Sequence, residues 1–308
     1  MTLDDFFGDT EAAWKRKLEK EEAARKQAEA DERRRKIEEI KARKGKGKKP
    51  ALDPVPTPAD AAAPVVTSLA DYVKLENIQC VDADGTVFEK YNTIYVRKDV
   101  EKDAAGKRLM VTPYSAIKHC ESFGFLPSAA LMANIHVAIY RAAVERQADG
   151  TYRTKDAKME AMLKKLRYRG DGIGGHWVNT LVDWKGNEII HYPQDGDFPT
   201  DGGTAGINSA YSRKNMNFDK ANFSDTTLKE ALKIPNYRRF VQNYSGLPDP
   251  AVLIDVAKYY GKTARVWVSS SQETRAAWFG CILDYFYLLS NNDLSNTNAV
   301  RGVRERAP

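Results

Sequence analysis

The chain has 308 residues, enough for one large domain or two ordinary ones, and its 42% hydrophobic and 10% aromatic content allows a substantial core. Its formal charge of +6 is unevenly placed: residues 1–50 hold 16 Lys and Arg against 12 Asp and Glu, and the other 258 hold 32 against 30. A nearly neutral body excludes a general nucleic-acid-binding domain, and three widely spaced cysteines, Cys80, Cys120 and Cys281, form neither a disulfide framework nor a CxxC zinc site. Three separate buried thiols are expected, with a Cys80–Cys120 bridge as the alternative.

The N-terminus opens Met-Thr-Leu-Asp-Asp-Phe-Phe, with acids where a signal peptide carries bases, and no apolar run reaches membrane-spanning length. Synthesis in the cytoplasm without a signal peptide follows, a route shared by components of virions. Residues 1–43 form a charged arm, helical over 11–43, where Ala, Glu, Lys and Arg dominate without Gly or Pro. Its apolar residues are too sparse for a heptad seam. It reads either as a solvated helix or as a docking arm into a larger assembly, anchored by Phe6, Phe7 and Trp14. Residues 44–68, with five prolines and two glycines, form a semi-rigid linker.

From Leu69 the composition turns globular. A strand is predicted over Val87–Arg97, after the turn Asp84-Gly85. A short helix follows at Pro113–Ser122, with Thr112 as N-cap and Pro113 at its first position. A longer helix runs Ala129–Ala148, capped by Ser128, with Leu131, Ile135, Ala138, Ile139 and Ala142 at helical spacing. A basic helix at 155–167 precedes a hairpin, His176–Trp184 and Glu188–Tyr192. Residues 193–226 read as a long loop, Pro250–Tyr260 as a helix stopped by Gly261, and Arg265–Ser269 as a strand. Residues 284–298 read as loop, and Ala299–Arg304 as a closing strand.

Several segments in order resemble C-type-lectin-like domains of the Lcl and formylglycine-generating type. Thr112-Pro113-Tyr114-Ser115-Ala116-Ile117-Lys118-His119-Cys120 resembles the family's first helix, with Tyr114 where Trp is common. Gly124-Phe125-Leu126-Pro127-Ser128-Ala129 resembles the lead-in to its second helix, with Phe125 where Arg is usual. Arg265-Val266-Trp267-Val268-Ser269-Ser270-Ser271 is similar to its Trp-Ser-Ser strand, and Asn298-Ala299-Val300-Arg301-Gly302-Val303-Arg304 to its closing Val-Arg-x-Val-Arg strand. The resemblance implies an α+β fold over residues 69–308: two main helices beside small antiparallel sheets, with the chain ends paired. Residues 145–260 are long for the minimal domain, which implies insertions. The same scaffold carries the variable proteins of diversity-generating retroelements.

The chemical motifs favour binding over catalysis. The glycines at 170, 172 and 175 match GxGxxG but precede a strand-like stretch and lack a Walker lysine, so no nucleotide site is expected. His176 and His191 are placed to form a polar pair across the hairpin, without metal-ligand spacing. Asp195, Asp197, Asp201 and Asn291-Asn292-Asp293 lack the signatures of calcium-dependent sugar sites and read as solvated loop. No metal or cofactor is expected. The suggestive surface lies between Ser269 and Asn298: Ser269, Ser271, Glu273, Thr274, Trp278, Asp284, Tyr285, Tyr287, Asn291, Asn292, Asn296 and Asn298. Tyr, Ser and Asn are the residues that adaptable binding surfaces favour, and on the retroelement resemblance this is the segment that varies. Trp267 reads as scaffold.

The expected function is therefore a ligand-binding or display protein, a phage or viral receptor-binding component whose partner is a protein or glycan receptor on a target cell. Two alternatives stand beside it. One is an enzyme on the formylglycine-generating-type scaffold, using a Cys281 of depressed pKa. The other is an intracellular structural protein whose basic arm binds nucleic acid.

Overall fold

The structure, a computed structural model, describes residues 68–167, 173–186, 188–192, 211–213, 226–268, 274–282, 285–292, 296 and 298–305. The arm and nearly all of the linker lie outside these residues.

An antiparallel hairpin opens the domain: β1, Tyr72–Val81, and β2, Val87–Arg97. Its turn forms where Asp84-Gly85 predicts it. Asp82 Oδ1 accepts the amides of Asp84 and Thr86 at 2.8 and 2.9 Å, and Gly85 takes a φ of 84°. Helix α1, Pro113–Glu121, starts at Thr112, whose Oγ1 accepts the Ser115 amide. Helix α2, Ala129–Ala143, starts at Ser128, whose Oγ accepts the Leu131 amide at 2.9 Å. Both predicted caps are in place.

Helix α2 ends five residues before the predicted Ala148. Val144–Arg146 (β3) instead pairs with Tyr152–Thr154 (β4) around a turn at Asp149-Gly150. Asp149 Oδ1 holds the Thr151 amide at 2.9 Å, and Gly150 takes a φ of 86°. The β-branched Val144 and this turn outweigh the helical propensity of Glu145 and Arg146. Helix α3 follows at Ala157–Arg167.

Strands β5, Ile173–Asp183, and β6, Glu188–His191, form the predicted hairpin. The short strands β7, Tyr211–Arg213, and β8, Thr226–Thr227, fall within and just after the stretch read as loop. Three helices come next: α4, Leu228–Ala231; α5, Pro235–Ser245; and α6, Val252–Tyr259. Gly261 stands just past α6 with a φ of 65°, as a C-terminal stop requires. The chain then runs through β9, Thr263–Val268; β10, Thr274–Ile282; β11, Tyr285–Asn292; and β12, Val303–Arg304. Strand β11 occupies most of the stretch read as loop.

The architecture is α+β. Strand β12 pairs with β2 on the edge opposite β1, so both ends of the domain meet in one three-stranded sheet. Val303 also exchanges two backbone hydrogen bonds with Phe125, at 2.8 and 3.0 Å. This approach is possible because residue 124 is glycine: a Cβ there would lie 2.1 Å from the Val303 carbonyl oxygen. The α+β content and the meeting of both ends in one sheet match what the family resemblance implies, although the first and last strands flank β2 rather than pair with each other. The largest sheet has seven strands in the order β7-β6-β5-β10-β11-β9-β8, with β9 and β11 parallel and the other pairings antiparallel.

That sheet is covered on one face and in part on the other. Its inner face packs Val178, Val266, Phe279, Phe286 and Leu288 into the main core with α2, which is buried along most of its length. Its outer face packs Trp177, Leu181, Ala276 and Trp278 into a second core, with Ala116, Ile117 and Cys120 of α1. Strand β10 is covered on both faces and lacks polar alternation, which is why Thr274–Ile282 carries little strand signal.

Candidate ligand-binding face

Beyond the edge of the second core the outer face of the large sheet turns toward solvent. Parallel pairing sets Tyr287 beside Arg265 and Leu289 beside Trp267. Within each strand alternate residues point the same way, so Arg265, Trp267, Tyr285 and Tyr287 share one face while Ala264, Val266, Phe286 and Leu288 fill the core beneath. The four are in ring contact. The Arg265 guanidinium lies 4.7 Å from the Tyr285 ring centre, the Tyr285 and Tyr287 rings are 5.6 Å apart, and Tyr287 and Trp267 are 5.8 Å apart. Trp267 is 36% exposed, Tyr285 and Arg265 are half-buried, and Tyr287 is 5% exposed and anchors the stripe to the second core. Such rings offer large, stiff contact area at little entropic cost, and the stacked guanidinium adds a charged donor.

The predicted surface residues divide. Tyr285 and Tyr287 lie in the stripe. Trp278 is one strand away, 1% exposed within the second core, and its Nε1 has no acceptor among the described residues. Thr274, Asn291 and Asn292 sit at the opposite end of the β10–β11 hairpin from Tyr285, because Ile282 pairs with Tyr285 and Ala276 with Asn292. That end lies about 20 Å from Tyr285 at the rise of a strand. Asn296 is exposed. Asn298 has a local structural bond, its Oδ1 accepting the Ala299 amide at 2.9 Å, and its backbone pairs with Val111. Ser269, Ser271, Glu273 and Asp284 lie outside the described residues, as do Asp195, Asp197, Asp201 and Asp293 of the oxygen-rich loops.

Trp267, read as scaffold, is the exposed member of the stripe, and Arg265, half-buried beside Tyr285, is not among the expected contact residues. The signal that finds them is the alternation Thr-Ala-Arg-Val-Trp-Val, in which the small and aliphatic residues face in.

His136, His176 and His191 are buried core groups, and His119 is half-buried near the end of α1. His191 pairs in register with Thr180, not His176, because the hairpin places Asp183 opposite Glu188. The expected histidine pair across the hairpin is therefore corrected. His191 Nε2 donates to the Asn243 carbonyl at 2.8 Å, Thr180 Oγ1 meets Nδ1 at 2.9 Å, and burial pulls the imidazole down to about 4. His136 Nδ1 meets the Tyr260 hydroxyl at 3.0 Å between Phe279 and Phe286, and burial lowers it to about 3. His176 is buried opposite Phe279 and lowered well below the usual imidazole range for the same reason.

All three cysteines are free and buried. Burial pushes the Cys281 thiol up to about 12 and those of Cys80 and Cys120 well above their ordinary value. A reactive thiolate needs the opposite shift. Among the described residues no group of three or more His, Cys, Asp or Glu converges as metal ligands would. No described helix is long and apolar enough to cross a membrane.

No family model matches the chain, and no curated protein matches it. Among solved structures, one described as "Accommodation of massive sequence variation in Nanoarchaeota by the C-type lectin fold" aligns over 64% of this chain and 98% of that one, at 11% identity and a TM-score of 0.37.

Proposed function

We propose that this chain is a ligand-binding protein on a C-type-lectin-like scaffold, and that its contact surface is the outer face of β9 and β11. The carrying observation is the row of Arg265, Tyr285, Tyr287 and Trp267 in mutual contact, with Trp267 exposed, Tyr285 and Arg265 half-buried and Tyr287 anchored in the second core, on a sheet whose other face packs into the main core. A rigid base under aromatic anchors fits recognition of a macromolecule better than chemistry. In this reading the partner is a protein or glycan receptor on a target cell, the protein is a phage or viral component, and residues 1–43 join the domain to a larger assembly. In this reading the segments 269–273 and 283–298, which border the stripe in sequence, belong to the stretch a retroelement would diversify.

The test is a screen of the full chain against arrayed glycans and cell-surface proteins. Any partner found is then titrated against Trp267→Ala and Tyr285→Ala. Affinity lost in both variants with the fold retained supports the reading, and unchanged affinity in both removes the surface assignment. The diversification element is tested by sequencing the DNA downstream of the gene. A near-copy of the codons for residues 265–304, differing at adenines and lying beside a reverse transcriptase, supports it. No such copy leaves a binder of fixed specificity.

A further inference from the structure

A second feature lies apart from the aromatic stripe. A pocket of about 360 Å³ opens between the loop after β2 and the C-terminal turn of α3. Its charged lining is Lys102, Arg108, Lys164, Lys165 and Arg301, against the single carboxylate Asp99. The volume falls in the range of small-molecule sites.

The two lysines of α3 are what a helix C-terminus ordinarily carries, and both have partners: Lys165 is 2.8 Å from Asp99, and Lys164 is 2.6 Å from Glu160. Arg301 is different. It is 1% exposed, and among the described residues its guanidinium donates only to backbone carbonyls, those of Arg97 and Lys98 at 2.6 Å and Lys165 at 3.4 Å. Its Nε has no acceptor, and among the described residues no carboxylate lies within ion-pair distance of it. The carboxylates that feel its charge are committed elsewhere, Asp99 to Lys165 and Glu101 to Arg97 at 2.9 Å. Burial lowers the Arg301 guanidinium to about 10, which leaves it charged at neutral pH. A buried cation without a paired anion is costly unless another negative charge reaches it. Lys102 and Arg108 line the pocket from the loop after β2, where an antiparallel bridge joins them.

We propose that this pocket binds a small phosphorylated anion, with Lys102 and Arg108 touching its oxygens and Arg301 supplying fixed positive charge from the wall behind. Five cations around one carboxylate favour a multiply charged group over a single carboxylate. The site is independent of the aromatic stripe, and neither reading falls with the other.

The experiment is calorimetric titration of the full chain with inorganic pyrophosphate at low salt, with inorganic phosphate in a parallel arm. Saturable one-to-one binding is expected, tighter for pyrophosphate, and weakened about tenfold or more by Lys102→Glu and by Arg108→Glu. Lys229→Glu, a charge reversal at a different part of the surface, is expected to leave it unchanged. Both loop residues are exposed or half-buried, so circular dichroism should show these variants folded, and Arg301→Met is an added arm, read only if it folds. No saturable binding up to about 10 mM, weaker than the millimolar range of even poor specific ligands, overturns the proposal. So does an equal loss in Lys229→Glu, which would mean attraction to surface charge alone.

Discussion

The two faces of the seven-stranded sheet use similar residues to opposite ends. On the inner face Phe279, Phe286 and Tyr260 close around His136, whose Nδ1 meets the Tyr260 hydroxyl. On the outer face Tyr285, Tyr287 and Trp267 make equally close ring contacts, but the row ends at solvent with a guanidinium stacked on it. Aromatic content alone does not distinguish a core from a contact surface. The distinction lies in whether another layer covers the rings: α2 covers one face, and α1 covers only part of the other.

The comparison breaks most sharply at Phe286. Its truncation to alanine should cost about 3–5 kcal/mol, seen as a lower denaturation midpoint at unchanged slope. A loss under about 1 kcal/mol would mean that the inner face is not a packed core.

Acid should act on the inner face next. His191 and His136 are lowered to about 4 and about 3 by burial, against 6.5 when unfolded. Between those values the unfolded chain binds more protons, so their contribution is fully present above about pH 6.5 and is lost as pH falls toward the folded values. At pH 5 each should cost about 2 kcal/mol. Glu89, whose carboxyl is raised by burial, acts in the opposite direction. Denaturant titrations at pH 7 and pH 5 check this, and asparagine at His191 should flatten the profile.

Trp267→Ala should leave stability within about 1 kcal/mol while costing about 2 kcal/mol of partner affinity, as a hot-spot ring does. A large stability loss with unchanged affinity would reverse the roles of the two faces. The smallest effect is expected for Arg265→Ala, about 0.5–1 kcal/mol of affinity from its stacked cation. Comparison of Arg265→Lys with Arg265→Ala separates charge from stacking.

Much of the fold was legible where local chemistry acts alone. The Asp84-Gly85 turn, the caps at Thr112 and Ser128 and the stop at Gly261 each depend on one side chain or one backbone conformation, and each stands where the sequence places it. Strand β1 was not legible, because the buried positions Val73 and Leu75 fall out of phase with Ile78 and Cys80. The shift occurs at Asn77, a non-glycine residue with a φ of 56°. Tyr285 and Tyr287 were legible as surface candidates by residue type. Trp278 has the same residue chemistry as Trp267, and only the position of α1 relative to the sheet buries it.

By itself the sequence determined the mix of helices and strands, the nearly neutral body and the limits of several helices, since these follow from composition, periodicity and capping within a few residues, whereas it left a Cys80–Cys120 bridge open and did not mark α4 or α5. Tertiary structure alone decided which aromatic side chains face water, that His191 pairs in register with Thr180 rather than His176, and that Arg301 lies buried beside Lys102 and Arg108. Those outcomes depend on strand register and on layers formed by residues far apart in the chain, and no local pattern encodes either.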